Sequence, residues 1–169
     1  GLIQRHEDGS VKAFLEKVEH DETGENTVNT GFYVMDPSVL DQIPHDEAYS
    51  NENQLFPDLL KRGKPLYGWV ASDDGYWSDV GRIETYKEAN RSLLHGAIDW
   101  VQTGEDSVLI GSNTSVAESA EIGPEVTIDE RCTVGPGSRI ERCIIWPEVT
   151  VEPGATVTDS ILASGVTVE

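Results

Sequence analysis

Two parts follow from the sequence: aperiodic α/β material over residues 1–103, then a flat-faced coil of short strands over residues 104–169. Three observations predict this. An aliphatic residue recurs every six positions through Ile110, Val116, Ile122, Ile128, Val134 and Ile140, and after single-residue slips through Ile145, Val151, Val157, Leu162 and Val168. Turn formers fall between these anchors, in Gly123-Pro124, Gly135-Pro136-Gly137 and Pro153-Gly154. Before residue 104 no such period exists, and strand-like stretches alternate with helix-like ones.

Six is three times the two-residue period of a strand, so every anchor points to the same side while short strands alternate with corners. Proline sits where a corner needs it and a sheet interior would reject it. The residue after each of the first six anchors is Gly, Ala, Asp or Glu, and four positions after an anchor stands Thr114, Ala120, Val126, Cys132 or Ser138. The slips, at Ile140–Ile145 and Val157–Leu162, lie 17 residues apart and mark one short side stacked on the next. The pattern resembles the hexapeptide repeat of left-handed parallel β-helices. That resemblance implies about three and a half coils and, at about 4.8 Å per coil, a prism roughly 17 Å tall.

In the first part, residues 2–5 and 11–16 flank Glu7-Asp8-Gly9-Ser10, which reads as a hairpin turn. Residues 28–35 read as a strand closed by Asp36-Pro37, with a short helix expected over 38–43 and broken by Pro44. Leu55, Phe56, Leu59 and Leu60 fall at helical spacing, Gly63 caps that helix, and a strand is expected over 65–71. A last helix over 83–95 places Ile83, Tyr86, Asn90, Leu93 and Leu94 on one face, with Gly96 ending it.

The net charge of −19 is spread along the chain, −10 over residues 1–103 and −9 over 104–169. Such a surface disfavours nucleic acid and anionic membranes, which require basic patches, and also suits a salt-loving source. No apolar run approaches the roughly 20 residues of a membrane span, and the first residues lack a signal-peptide pattern. A cytoplasmic location is expected. Cys132 and Cys143 make no metal-ligand spacing and read as small buried residues. The chain begins at Gly1 and stops within a repeat, so a fragment of a longer protein is expected.

Phe14-Leu15-Glu16-Lys17, then Val28-Asn29-Thr30-Gly31-Phe32-Tyr33-Val34, then Gly75-Tyr76-Trp77-Ser78-Asp79-Val80-Gly81 resemble, in order and spacing, the sugar-binding half of the sugar-phosphate nucleotidyltransferases. Ser50-Asn51-Glu52 and Leu55-Phe56-Pro57 extend the likeness. The resemblance implies a partial Rossmann-like nucleotidyltransferase domain over 1–103, a left-handed β-helix over 104–169, and formation of a nucleotide sugar and pyrophosphate from a nucleoside triphosphate and a sugar 1-phosphate. Such a reaction brings anions together, so it needs positioning and charge neutralisation. By the resemblance, Lys17 is a catalytic cation holding the sugar phosphate and Glu16 accepts from sugar hydroxyls. Asn29, Thr30 and Gly31 complete the substrate site. Asp79 is catalytic as a ligand of Mg²⁺, the implied cofactor. Val18 stands where the family usually has proline. Trp77 is expected beneath the site.

The likeness is strongest to the mannose-1-phosphate guanylyltransferase type, through the 76–81 stretch with Tyr86, Ala89-Asn90 and Leu93-Leu94. Glucose 1-phosphate with a thymidine or uridine triphosphate is the alternative. A regulatory, non-catalytic subunit and a hexapeptide acyltransferase are the remaining readings; the latter needs a histidine base, and none of His6, His20, His45 or His95 lies in the repeat. No glycine-rich phosphate loop precedes Glu16, so the chain alone is expected to be inactive. Trp146, just after an anchor and flanked by Ile144, Ile145 and Pro147, is expected to project outward as a contact patch for a homo-oligomer formed through the β-helix.

Overall fold

A computed structural model describes residues 2–15, 27–72, 75–98, 103 and 107–169. The chain forms two compact units, Gly1–Gly75 and Tyr76–Glu169. Among the described residues no helix is long and apolar enough to cross a membrane.

In the first unit, β1 (Leu2–Arg5) and β2 (Val11–Leu15) form the expected antiparallel hairpin, with Ile3 opposite Phe14. Asp8 closes the turn: its Oδ1 accepts the Ser10 hydroxyl at 2.6 Å and the Ser10 N–H at 2.9 Å. Those bonds, the hydroxyl first, hold the Asp8 carboxyl below its ordinary value. The helix after Asp36 is shorter than expected, α1 (Pro37–Leu40), because the chain tightens into i→i+3 turns at Gln42 and Ile43 before Pro44. Ser50 then caps a π-helical turn, Asn51–Leu55, that runs into α2 (Phe56–Lys61). Gly63, at φ 66°, ends α2 with a double closure, Gly63 N–H to Leu60 O and Lys64 N–H to Leu59 O. Leu55, Phe56 and Leu59 form the core of this unit, with Phe14, Met35 and Leu66 packed against them.

Two expected strands do not form. Val28 makes a single antiparallel bridge to Leu2, and Tyr67 a single one to Ser10. β1 and β2 are four and five residues long, so their edges carry too few backbone groups to hold neighbours of eight and seven residues. The outer parts of both segments run free of a ladder, with Phe32 at 88% and Trp69 at 87% exposure.

The second unit contains the coil, which is a parallel β-helix of three sheets. One sheet stacks β3 (Val108–Ile110), β6 (Val126–Ile128), β9 (Ile144–Ile145) and β12 (Ile161–Leu162). The second stacks β4 (Ser115–Val116), β7 (Thr133–Val134), β10 (Thr150–Val151) and β13 (Thr167–Val168), and the third β5 (Glu121–Ile122), β8 (Arg139–Glu141) and β11 (Thr156–Thr158). All eleven anchors lie in these strands. Those of the middle coils are buried, together with the second inward column of Val126, Cys132, Ser138, Cys143, Val149 and Ala155. Ser138 is satisfied by the Gly135 carbonyl at 2.7 Å, and both cysteines are free thiols in the core.

Register explains the slips. Val116 pairs with Val134 eighteen residues on, whereas Val134 pairs with Val151 and Val151 with Val168, each seventeen on. The shortened corner carries Arg142 and Asp159 at φ 51° and 50°, beneath Glu125 at 57°. A second corner column turns through Asn113, Arg131, Glu148 and Gly165, all at positive φ, and only the third uses paired glycines, Gly137 and Gly154. Gly135 has a different need: a Cβ there would stand 2.6 Å from the Pro153 nitrogen of the next coil.

All three arginines of the repeat tie neighbouring coils, Arg131 to Glu148, Arg139 to Glu121 and Arg142 to Asp159. The last pair is bidentate at 2.8 Å in both arms. Helix α3 (Ile83–Leu94) lies against the β-helix within this unit. Asn90 Oδ1 accepts from Thr127, Lys87 Nζ donates to the Asp159 carbonyl, and Glu125 receives both Arg91 and His95. The His95 hydrogen bond, then Arg91, holds the Glu125 carboxyl below its ordinary value. Gly96 ends α3 as expected, but Ile83 turns outward from the expected apolar face.

Trp146 projects outward as expected, but its surroundings differ. It is 40% exposed, and its indole N–H donates to the Tyr86 hydroxyl of α3 at 3.1 Å. Ile144 and Ile145 are buried, so the expected flanking patch is occupied by the unit's own packing.

Candidate functional site

The sequence-predicted site residues fall in three places. Glu16, Lys17 and Val18 lie outside the described residues. Asn29, Thr30 and Gly31 follow the Val28 bridge in the first unit, and Asp79 belongs to the second unit.

The first-unit group is built on aromatic packing. Phe14 of β2 stacks on Phe56 of α2 at 5.0 Å between ring centres, and Tyr33 meets Phe56 edge-on at 4.9 Å. This platform brings the 29–33 segment beside the Ser50-capped turn that carries Glu52. Asn29 Nδ2 then donates to the Tyr33 hydroxyl at 2.5 Å and to Glu52 Oε1. Asn29 Oδ1 accepts the Gly31 N–H at 3.1 Å, and Gly31 takes φ 81°, a conformation that suits glycine. A Cβ at Gly31 would meet no atom of the described residues within 4 Å. Thr30 is exposed on the same turn.

Sequence reasoning placed Asn29 and Gly31 in this group but omitted Tyr33 and Glu52 from the site. Both stood inside the quoted stretches. What was lacking was the fold-back that sets Glu52, 23 residues away, against Asn29.

Asp79 is exposed, and its Oδ1 accepts the Gly81 N–H at 3.0 Å. That turn fixes the carboxylate while no intramolecular partner takes Oδ2 among the described residues. Mg²⁺ is held through one or two carboxylates, waters and substrate phosphates and needs no all-protein cage, so a single oriented carboxylate fits it as one ligand. Among the described residues no group of three or more His, Cys, Asp or Glu side chains forms a cage. Trp77 is half-exposed beside Asp79 in sequence.

The first unit thus carries a hydrogen-bonded cluster of Asn29, Gly31, Tyr33 and Glu52, and the second unit, by itself, an exposed carboxylate at Asp79. A family profile described as nucleotidyl transferase matches residues 1–96, and one described as GMPPB C-terminal domain matches residues 104–169. The chain is similar to a mannose-1-phosphate guanylyltransferase of Mycobacterium tuberculosis, 30% identical over 93% of this chain and 44% of that protein. It is also similar to a UTP–glucose-1-phosphate uridylyltransferase of Synechocystis, 28% identical over 96% of this chain and 47% of the relative. A glucose-1-phosphate adenylyltransferase of Trichlorobacter lovleyi is 29% identical over 99% and 47%. The chain thus spans about half the length of the relatives it matches.

Proposed function

Because this chain belongs to the nucleotidyl transferase family, we propose that the protein carrying it makes a nucleotide sugar from a sugar 1-phosphate and a nucleoside triphosphate. Mannose 1-phosphate and GTP are the favoured pair, supported by the likeness of residues 104–169 to the GMPPB C-terminal domain and by the mannose-1-phosphate guanylyltransferases among the relatives. Residues 1–103 are assigned to the sugar-binding half and 104–169 to the β-helix part. The observation that carries the reading is the hydrogen-bonded polar cluster of Asn29, Gly31, Tyr33 and Glu52 in the segment that matches the family.

In this reaction a phosphate oxygen of the sugar 1-phosphate attacks the α-phosphorus. A new P–O bond forms, the bond to the β-phosphate oxygen breaks, and pyrophosphate leaves with that electron pair. The protein supplies position and charge more than covalent chemistry. Lys17 neutralises the sugar phosphate as a point charge, and Glu16 accepts from ring hydroxyls. Asp79 would hold Mg²⁺ as one carboxylate ligand, and the ion would supply positive charge to neutralise the phosphates. A cytoplasmic location is part of the same proposal. It self-associates through the flat sheets of the β-helix, where twelve carboxylates against three arginines make association salt-dependent.

The test is kinetic, on the protein that carries this chain. Asp79→Asn is expected to remove most turnover and to weaken the dependence on Mg²⁺. Lys17→Ala is expected to raise KM for the sugar phosphate more than that for the triphosphate. Unchanged turnover and metal dependence in Asp79→Asn would remove the ligand assignment.

A further inference from the structure

We propose that Trp146 and Tyr86 are positioning residues for the metal-ligating Asp79, the β-helix acting through α3 as the fixed support of that carboxylate. The inference rests on the nucleotidyltransferase reading and gives the β-helix a part in it.

Within its own unit Asp79 has little else to hold it. The Gly81 N–H fixes Oδ1 at 3.0 Å, and among the described residues no other hydrogen bond ties residues 76–81 to the rest of the unit. Tyr76, Trp77, Val80 and Ile83 are exposed, so packing does not hold the segment either. Gly81 keeps the turn tight, since a Cβ there would stand 3.2 Å from Oδ1. The chain then enters α3 through a clasp at Thr85, whose hydroxyl oxygen accepts the Arg82 N–H at 3.3 Å and whose O–H donates to the Arg82 carbonyl at 3.1 Å. The carboxylate therefore goes where α3 goes.

A helix of 12 residues is marginal by itself in water, and Leu94 is the one buried residue of α3, so polar anchors set its seat on the β-helix more than an apolar seam does. Those anchors are Tyr86, Lys87, Asn90, Arg91 and His95, spaced to share one helix face. They reach Trp146 just after β9, Asp159 just before β12, Thr127 of β6 and Glu125. Tyr86 is the anchor nearest Asp79 in the chain, and its partner is rigid. The Trp146 backbone N–H donates to the Leu162 carbonyl at 3.0 Å, and its carbonyl accepts the Cys132 thiol at 3.2 Å, which ties it to the coils on both sides. Its indole N–H then offers the Tyr86 hydroxyl a fixed donor. A cation that must touch Asp79 and substrate phosphates together tolerates little drift, because a misplacement of about 1 Å can cost about a hundredfold in rate.

The experiment uses the protein that carries this chain. Mn²⁺ alone is the probe, titrated by electron paramagnetic resonance without substrates, and steady-state kinetics with Mg²⁺ gives the second readout. Asp79→Asn is expected to weaken Mn²⁺ binding. Trp146→Phe and Tyr86→Phe each remove one end of the hydrogen bond and keep an aromatic ring. Each is expected to weaken Mn²⁺ binding and to lower kcat about fivefold, the most that one hydrogen bond of ordinary net strength holds in place, with KM for the sugar phosphate unchanged. The double variant is expected to lose no more than either single one, since both act through one bond. Glu125→Gln, which loosens the far end of α3, is expected to lower Tm and to leave Mn²⁺ binding and kcat as they were. A merely structural role would not give that split. Ordinary Mn²⁺ binding in Trp146→Phe and Tyr86→Phe beside weakened binding in Asp79→Asn overturns the positioning assignment, as does an equal loss in Glu125→Gln. Unchanged binding in Asp79→Asn removes the ligand assignment and this proposal with it. If the protein turns over no sugar phosphate at all, the nucleotidyltransferase reading falls, and the Mn²⁺ titration decides the positioning by itself. Thermal melting checks folding, and if Trp146→Phe unfolds, Tyr86→Phe carries the test.

Discussion

Ile140→Ala probes the principle that builds the β-helix, that a residue repeated every six positions is a stacked interior column. Ile140 lies on β8 between Ile122 above and Val157 below, with 0% of its surface exposed. Truncation removes three carbons from a site closed by neighbouring coils, and the apolar space left behind attracts no water. Large-to-small changes of this kind cost about 2–5 kcal/mol. For a unit of about 90 residues each kcal/mol shifts Tm by about 4–8 °C, so a cost near 3 kcal/mol lowers Tm by about 12–24 °C. Ile110 is the matched control: the same residue type and the same repeat position, but 46% exposed on β3. Ile110→Ala is expected to cost less than about 1.5 kcal/mol, since roughly half of its transfer free energy was never gained. Calorimetric melting of the chain and both variants gives the comparison. Equal shifts for the two variants would refute the stacked-column account.

Other consequences can be measured on the same chain. Gly135→Ala should cost about 1–3 kcal/mol in denaturant melts, because its methyl group would press on the Pro153 backbone. The Glu125 carboxyl is held low by His95 and Arg91, so its stabilising contribution is full above the ordinary value of 4.5 and is lost as pH falls through the lower folded value. Melting temperature should therefore drop on acidification below pH 4.5, and less steeply in Glu125→Gln. Sedimentation at rising salt should show stronger association as carboxylate repulsion is screened; a monomer at both low and high salt would count against self-association.

The repeat was legible because it is written in side-chain volume and period, which depend little on distant sequence. Its slips at Ile145 and Leu162 read directly as the seventeen-residue register of the sheets. The corners were only partly legible. Gly137 and Gly154 announce a left-handed residue, but Arg131, Arg142 and Glu148 adopt the same conformation because stacking with the neighbouring coil fixes it. Helix ends at Gly63 and Gly96 were clear for the same local reason as the glycine corners. The segments 28–35 and 65–71 do not form the expected strands, because β-prone apolar residues bounded by turn formers say that a strand could form and not that a neighbour exists to pair with it. At the site, Asn29 and Gly31 were visible as a local turn. Glu52 was not, since its role depends on the Phe14 and Phe56 packing that folds a distant turn onto Asn29.

Pyrophosphate release by the protein that carries this chain, assayed across sugar 1-phosphates and nucleoside triphosphates with and without Mg²⁺, tests the central claim most directly. Mg²⁺-dependent release that requires both substrates, and is fastest with mannose 1-phosphate and GTP, is the predicted result. Fastest release with glucose 1-phosphate would move the assignment to the glucose-type relatives, and no release from any pair would contradict the proposed activity.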